Sequence, residues 1–248
     1  LSRIRQTYVD IQIMESSSGK SLGHVSVNNS RIAYLKWSPK STHLSFVKIN
    51  DTHKNLMLIS VAPFRQYSLK TKLLNTLNGA ESYKWSYDGK SLYYLAHAKT
   101  NFESAPTKIG PIIQESSGRT STVRTYQDLI KSSQDEALFS DAYRSEVRKI
   151  NLSGSDLSVL DSDLYFNIQP SPSDKYLLVT TLQRPFSYVL PFYRFAKETS
   201  LFKNGRKVRT IAKIGSTENI PQGFSATYQG PRHIQWIPYS EDQILWIE

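Results

Sequence analysis

The sequence predicts an all-β protein, a partial β-propeller of about four blades. One short turn motif recurs four times along the 248 residues, and strand-like runs lie between its copies. Recurrence at this scale is the sequence signature of repeat architectures, propellers among them. Aromatic residues, which fit pleated and half-buried strands, make up 12% of the chain and agree with an all-β class.

Each copy of the motif consists of an apolar strand, a Trp or Gln, a short polar turn and a second apolar strand. Ser-Pro or Asp-Gly in the turn sets the backbone dihedrals of a hairpin, and the flanking apolar runs supply its two strands. Trp37 and Trp85 in the first two copies are 48 residues apart, and a four-stranded blade takes roughly 40–50 residues. The later copies are further apart, which predicts insertions. The four copies lie at residues 32–47, 83–95, 166–179 and 234–247.

Between the copies, further apolar runs predict the remaining strands of each blade. These runs lie at residues 56–61, 144–151 and 187–190, and each ends near turn-forming residues. The alternative is a β-sandwich whose hairpins resemble one another by chance. Four copies of one turn motif favour the propeller.

Residues 97–143 interrupt the repeat. Pairs of Ala, Pro, Gly and Ser in the first half of this segment are typical of a loop. Residues 125–128 then resemble a helix capping box with Asp in the usual position of Glu, and the apolar residues that follow, including 137–139, indicate a short helix. We therefore expect an insertion between two strands of one incomplete propeller domain that covers residues 1–248.

The charge and hydropathy of the chain exclude two classes of partner. Lys and Arg total 31 against 21 Asp and Glu, and the resulting net charge of +10 would attract nucleic acid. The basic residues are scattered, however, and form no groove-reading motif, so we expect no nucleic-acid partner. The sequence has no run of about 18 apolar residues that could span a membrane, so we expect no membrane partner either.

The sequence predicts neither a metal site nor a cofactor. Cysteine is absent, which excludes disulfides and thiolate metal sites. No two of the five histidines have the helical i, i+4 spacing, with an intervening Glu, of a zinc-binding helix.

A Gly-x-Ser-x-Gly pattern at residues 19–23 resembles the elbow that carries a catalytic serine. Such an elbow needs a buried strand before the serine and a helix after it. Here a polar, turn-like run at 15–18 precedes the pattern, and an alternating, strand-like run at 25–28 follows it. A hairpin turn accounts for all of these residues. The sequence therefore predicts no catalytic role for Ser21 and no catalytic residue in this chain.

Two longer stretches resemble one branch of a known peptidase class. Residues 123–139, which contain Arg-Thr-Tyr-Gln-Asp-Leu-Ile, and residues 175–195, which contain Gln-Arg-Pro-Phe-Ser-Tyr-Val-Leu-Pro, resemble the propeller of the glutamyl endopeptidases. These enzymes belong to the prolyl oligopeptidase class of serine peptidases. The closing stretch 232–236 also fits this branch, whereas 35–39 matches the generic repeat of such propellers. The resemblance covers the chain from about residue 3 to its end.

This resemblance implies an N-terminal propeller followed by a C-terminal α/β-hydrolase domain that carries the catalytic Ser, Asp and His. The known members cut after acidic residues, above all Glu. By the same resemblance, the chain is a non-catalytic propeller portion that ends about half-way round the ring. It would gate the access of a peptide substrate to the hydrolase domain, which is missing from this chain. We expect an exported bacterial protein, with a plastid stromal protein as the alternative.

A stand-alone propeller that scaffolds protein partners is the alternative function. It requires a closed ring within this chain, and four blades are the minimum for a propeller. An open half-ring would instead expose strand edges, which promote association.

Within the resemblance, Arg184, Tyr188 and Arg194 are the candidate residues for binding an acidic substrate side chain. They lie in the branch-specific stretch, and a guanidinium offers a planar, bidentate fork to a carboxylate. Arg184 precedes Pro185, which restrains its backbone toward extended conformations. The alternative is an arginine that pairs with a local carboxylate such as Asp174.

Overall fold

The computed structural model describes residues 7–51, 53–98, 129–220 and 230–248. Within these ranges it contains sixteen strands and one α-helix, arranged as three four-stranded and two two-stranded antiparallel sheets. The strands of each four-stranded sheet follow one another in chain order, as they do in a propeller blade. The predicted all-β class and partial propeller are confirmed.

The five sheets follow one another along the chain. The N-terminal hairpin contains β1 (Asp10–Met14) and β2 (Ser21–Ser26). Blade 1 contains β3 (Arg31–Trp37), β4 (His43–Ile49), β5 (Lys54–Ser60) and β6 (Arg65–Ser68). Blade 2 contains β7 (Tyr83–Trp85), β8 (Ser91–His97), β9 (Ser145–Asn151) and β10 (Asp156–Asp163), with helix α1 (Ser133–Tyr143) between β8 and β9. Blade 3 contains β11 (Tyr165–Pro170), β12 (Tyr176–Leu182), β13 (Lys197–Lys203) and β14 (Arg206–Ile214). The C-terminal hairpin contains β15 (Arg232–Trp236) and β16 (Ile244–Ile247).

The central strands of blade 1 bury both faces, because the blade is packed between two neighbouring sheets. In β5, Leu56 and Leu58 pack against blade 2, whereas Met57 and Ile59 pack against the N-terminal hairpin. In the same way, alternate side chains of β8 pack against blade 1 and blade 3. A strand buried on both faces reads as a continuous apolar run rather than as an alternation. The core of the protein therefore consists of layers between successive sheets.

The turn between the first two strands is built in the same way in all three blades. It begins at a buried serine: Ser38, Ser86 or Ser171. The backbone N–H of this serine donates to the carbonyl of the residue five positions later, at 2.8–2.9 Å. The serine hydroxyl in turn accepts the backbone N–H of that later residue, at 3.0–3.1 Å. In the C-terminal hairpin, Ile237 takes the position of the serine, and its backbone N–H donates to the carbonyl of Gln243, six positions later, at 2.8 Å. The four predicted hairpins are confirmed.

The predicted helix of the insertion is confirmed and begins at Ser133. Its N-cap is Ser132, whose hydroxyl accepts the backbone N–H of Asp135 at 3.1 Å. The capping box predicted at residues 125–128 lies outside the described residues.

The strand predicted at residues 187–190 is wrong, and these residues lie in the connection between β12 and β13. The hydroxyl of Ser187 accepts the backbone N–H groups of Val189 and Leu190, both at 3.1 Å. A side chain that bonds to nearby backbone groups in this way favours a turn over a strand. The third strand of blade 3 is β13 instead.

The topology places two long connections at the same end of the blades. Connections between successive antiparallel strands emerge alternately at opposite ends of a sheet. The motif turns join first to second strands and lie at one end. The connection from β8 to β9 and the connection at residues 183–196 both join second to third strands and lie at the other. The insertion of blade 2 and the stretch that contains Arg184 are therefore neighbours.

Candidate functional site

Residues 129–143 and 183–196 pack together as one unit, which we call the cap. The ring of Phe139 meets that of Phe186 edge-on at 5.4 Å between centroids, and that of Phe195 at 5.9 Å. Phe186 and Phe195 stack at 5.0 Å. Aromatic pairs at these separations contribute stability beyond the area they bury. The cap thus fastens the insertion of blade 2 to blade 3.

Two of the three predicted binding residues meet on the carboxylate of Glu136, in the first turn of α1. Arg184 forms an ion pair with one oxygen of this carboxylate through Nη1. The hydroxyl of Tyr188 donates to the other oxygen at 3.2 Å. Arg184 also donates from Nη2 to the hydroxyl of Ser140, one helical turn further on, at 2.6 Å. The result is a carboxylate bound through both of its oxygens.

The donors of this site are exposed, whereas its carboxylate is largely covered. The side chain of Arg184 is 53% exposed and that of Glu136 is 20% exposed. The guanidinium carbon of Arg184 lies 4.7 Å from the centroid of the Phe186 ring, a favourable cation–π arrangement. Desolvation and the hydrogen-bonded Glu136 carboxylate both raise the pKa of Tyr188. The phenol therefore keeps its proton at neutral pH and can donate.

Buried residues on either side hold the segment around Tyr188 in place. Phe186 is 6% exposed and Leu190 is fully buried, so both act as anchors in the core of the cap. The turn at Ser187 shortens the chain between these anchors. Tyr188 itself is 43% exposed and projects from the cap.

The third predicted residue, Arg194, is bonded elsewhere in the cap. It ends a short 3-10 turn, Phe192–Arg194, that precedes β13. Its Nε donates to the hydroxyl of Thr217, in the segment that follows β14, at 2.8 Å. The structure therefore groups Arg184 with Tyr188 and shows Arg194 on the side of the cap that faces residues 215–220.

The carboxylate that pairs with Arg184 is Glu136 and not Asp174. Asp174 accepts the hydroxyl of Tyr93 at 2.8 Å and forms an ion pair with Lys149, so it links blades 2 and 3. Glu136 is a site residue that was not predicted from the sequence. The available signal was that Glu136 and Arg184 both lie in the two stretches that carry the family resemblance.

The Gly-x-Ser-x-Gly pattern spans the end of the predicted hairpin turn and the start of β2. Ser21 is the first residue of β2, where it pairs with Met14 and is exposed. Gly19 has a φ of +68°, the left-handed conformation that favours glycine. Gly23 lies against the ring of Phe64, and a Cβ at this position would be 2.2 Å from the ring carbons. The backbone conformation at Gly19 and the packing at Gly23 thus explain the two glycines, and Ser21 begins a strand rather than a helix.

The part of the chain that the structure describes holds no group of three or more His, Asp or Glu side chains placed to share a metal ion. Among the same residues, no helix is both long enough and apolar enough to cross a membrane.

Comparison with known proteins identifies sequence relatives of one kind. The chain is 30% identical over 233 residues to a probable chloroplastic glutamyl endopeptidase of Oryza sativa subsp. japonica, and 28% identical over 229 residues to its namesake in Arabidopsis thaliana. Each alignment covers 88% of this chain and 24% of the relative. The chain thus spans about a quarter of the length of the curated relatives it matches. No protein-family profile matches it.

Comparison of structures supports the fold. The chain is similar to an acylaminoacyl peptidase of Pyrococcus horikoshii, with a TM-score of 0.50 and 12% sequence identity. This match covers 83% of the chain and 28% of the peptidase. The predicted resemblance to the propeller region of the glutamyl endopeptidases is confirmed by the sequence relatives, and the fold is that of a peptidase-associated propeller.

Proposed function

We propose that this chain is the non-catalytic propeller portion of a serine endopeptidase that cuts after acidic residues. In this proposal the cap binds the acidic side chain of a peptide, and the propeller gates the passage of that peptide to the active site. The Ser, Asp and His that cut the peptide belong to a hydrolase domain outside this chain. Residues 1–248 form one incomplete propeller domain, with an insertion at 97–143.

The observation that carries this proposal is the double contact on one carboxylate. Arg184 and Tyr188 each bind a different oxygen of the same carboxyl group. A guanidinium and a phenol held in this way recognise the charge and the planar shape of a carboxylate together. An uncharged Gln side chain offers one acceptor oxygen and two N–H donors, so it would fit the same donors poorly.

Arg194 completes the proposed binding surface as a second cation. It lies near the end of the same connection that carries Arg184 and Tyr188, and its bond to Thr217 ties that end to the segment after β14. We assign it a supporting role, because the long-range attraction of a second positive charge favours acidic peptides over neutral ones.

The test uses a protein that carries this chain together with its hydrolase domain. Replacing Arg184→Gln should raise KM for a Glu-containing substrate about tenfold, since hydrogen bonds to charged groups contribute on the order of 1.5–3 kcal/mol. The value of kcat should hold, because a contact equal in the ground and transition states changes KM alone. The matching Gln-containing substrate should be cut as before.

The matched control is Arg206→Gln, which removes an exposed arginine from the start of β14, outside the cap. It should leave KM for both substrates unchanged. Equal loss on the Glu and Gln substrates after Arg184→Gln would contradict the proposal.

The stand-alone scaffold is the second candidate, because the sixteen described strands equal the number that four blades need. The two terminal hairpins have two strands each, which together equal one blade. Closing a four-blade ring would require them to join, whereas among the described residues they form separate sheets. A 248-residue chain that is monomeric and melts in one sharp transition would support the closed ring. Association through exposed strand edges would support the open propeller.

A further inference from the structure

We propose that Glu136 is an internal ligand of the carboxylate site, which occupies Arg184 and Tyr188 until the acidic side chain of a peptide displaces it. This inference rests on the proposed function and adds how the site is regulated. Glu136 would act as a built-in competitor, so that the cap binds only peptides whose acidic group can replace it.

The chemical identity of the occupant supports this inference. The side chain of Glu136 carries the same carboxylate, on the same two methylene groups, as a glutamate of a peptide substrate. It receives Arg184 on one oxygen and Tyr188 on the other. The two donors therefore have the arrangement that a substrate glutamate would need.

The donors are held in place by contacts other than those to Glu136. Arg184 retains its hydrogen bond to Ser140 at 2.6 Å and its position over the ring of Phe186 at 4.7 Å. Tyr188 stands between the buried anchors of the cap. Release of Glu136 would thus leave a preformed site, and binding to a preformed site avoids the cost of ordering its side chains.

Exchange is possible because the site faces solvent. Arg184 is 53% exposed and Tyr188 is 43% exposed, so a peptide can approach the donors while Glu136 withdraws. The N-cap bond of α1 runs from Asp135 to Ser132 and does not involve the Glu136 side chain. The helix therefore keeps its cap when the carboxylate leaves. Exposed ion pairs typically change an equilibrium by about fivefold or less, which a peptide with further contacts can overcome.

The experiment measures binding of two blocked dipeptide probes to the 248-residue chain by isothermal titration and NMR. One probe contains Glu and the other contains Gln at the same position. Glu136→Gln should tighten binding of the Glu probe about fivefold, because the competing charge is gone. It should not change binding of the Gln probe. The double variant Glu136→Gln, Arg184→Gln should lose the gain.

The matched control is Asp135→Asn, which removes the same charge from the adjacent residue of α1. The Asp135 carboxylate accepts the backbone N–H of Lys131 at 3.0 Å rather than contacting Arg184. If this variant tightens binding as much as Glu136→Gln, the effect is one of general charge and the inference is wrong. Glu136→Asp, which shortens the side chain but keeps the charge, replaces Glu136→Gln if that variant does not fold, and should give a smaller gain.

Two further outcomes separate this inference from the proposed function. If Arg184→Gln weakens binding of the Glu probe and Glu136→Gln weakens it too, then Glu136 positions Arg184. The inference would then be wrong while the proposed carboxylate site stands. If neither the natural chain nor any variant prefers the Glu probe to the Gln probe, both are wrong.

Discussion

The indole of Trp85 in blade 2 donates its Nε1 hydrogen to the hydroxyl of Ser45 in blade 1, across 2.9 Å. The same hydrogen lies near the carbonyl of Lys36, with 3.3 Å between the heavy atoms. Trp236 of the C-terminal hairpin makes the corresponding bond to the carbonyl of Gln169 in blade 3 at 2.9 Å. Trp85 and Trp236, two of the three motif tryptophans, therefore bond to the preceding blade.

Replacing Trp85→Phe should lower the free energy of unfolding by about 1–3 kcal/mol, because the buried hydroxyl of Ser45 loses its indole donor. Urea denaturation measures this change. The matched control is Trp37→Phe, at the same motif position in blade 1, where the side chain is 49% exposed. Its effect should be within about 0.5 kcal/mol. Equal losses at the two positions would show that the cross-blade bond does not matter.

Replacing Ser171→Ala should lower the melting temperature by several degrees. The hydroxyl of Ser171 is buried and accepts the backbone N–H of Tyr176 at 3.1 Å, so its removal leaves a polar group without this partner at a cost of about 1–3 kcal/mol. Ser17→Ala, in the exposed turn of the N-terminal hairpin, serves as the control. Thermal unfolding followed by circular dichroism compares the two. An unchanged melting temperature for Ser171→Ala would contradict the role of the buried serine.

Replacing Phe139→Ala should loosen the cap while the blades stay folded. Phe139 contacts Phe186, Phe192 and Phe195 across the two segments of the cap, so it supplies the aromatic part of their packing. Hydrogen exchange should show reduced protection at residues 183–196, but not in β12. Leu138→Ala, at the adjacent and 40% exposed position, should leave this protection intact. A uniform loss of protection through all three blades would show that the cap is not a separate unit.

The stability of blade 3 should depend on pH through Glu198. The pKa of this carboxyl is lowered to about 2. The largest cause is the hydrogen bond from Lys207, and the hydrogen bond from Ser200 adds to it, whereas burial opposes the change. In the unfolded chain, the pKa of Glu198 is close to its ordinary value of 4.5. The ionised Glu198 therefore stabilises the fold above about pH 4.5, and this contribution is lost as the pH falls toward 2.

The difference in urea midpoint between the natural chain and Glu198→Gln should thus be constant from pH 7 to about 5 and shrink below about pH 4.5. The exposed Glu241→Gln provides the comparison, with no change expected over the same range. A Glu198→Gln difference that stays constant down to pH 3 would exclude this role.

The hairpins of the repeat could be predicted because each is encoded locally. A Trp or Gln, a short turn and two apolar runs lie within some fifteen residues, and burial on both faces produces continuous apolar runs such as 56–61. The same reasoning failed at residues 187–190. There the apolar residues anchor a turn to the core, and the Ser187 side chain takes the backbone N–H groups that a strand would have used.

Only part of the candidate site could be predicted from the sequence, for a different reason. Arg184 and Tyr188 could be selected by their chemistry and by the family resemblance. Their shared partner Glu136 lies 48 residues before Arg184, in another blade. No periodicity or spacing connects two such positions, because the packing of phenylalanines in the cap brings them together.

The pairing of Glu136 with Arg184 also couples two bodies that the chain leaves far apart in sequence. Glu136 is carried by the connection of blade 2 and Arg184 by that of blade 3, so any rocking of one blade against the other stretches or compresses their contact. The ion pair bridges the interface between blades 2 and 3. Separation of the two blades would break the ion pair, and its re-formation would restore their relative orientation.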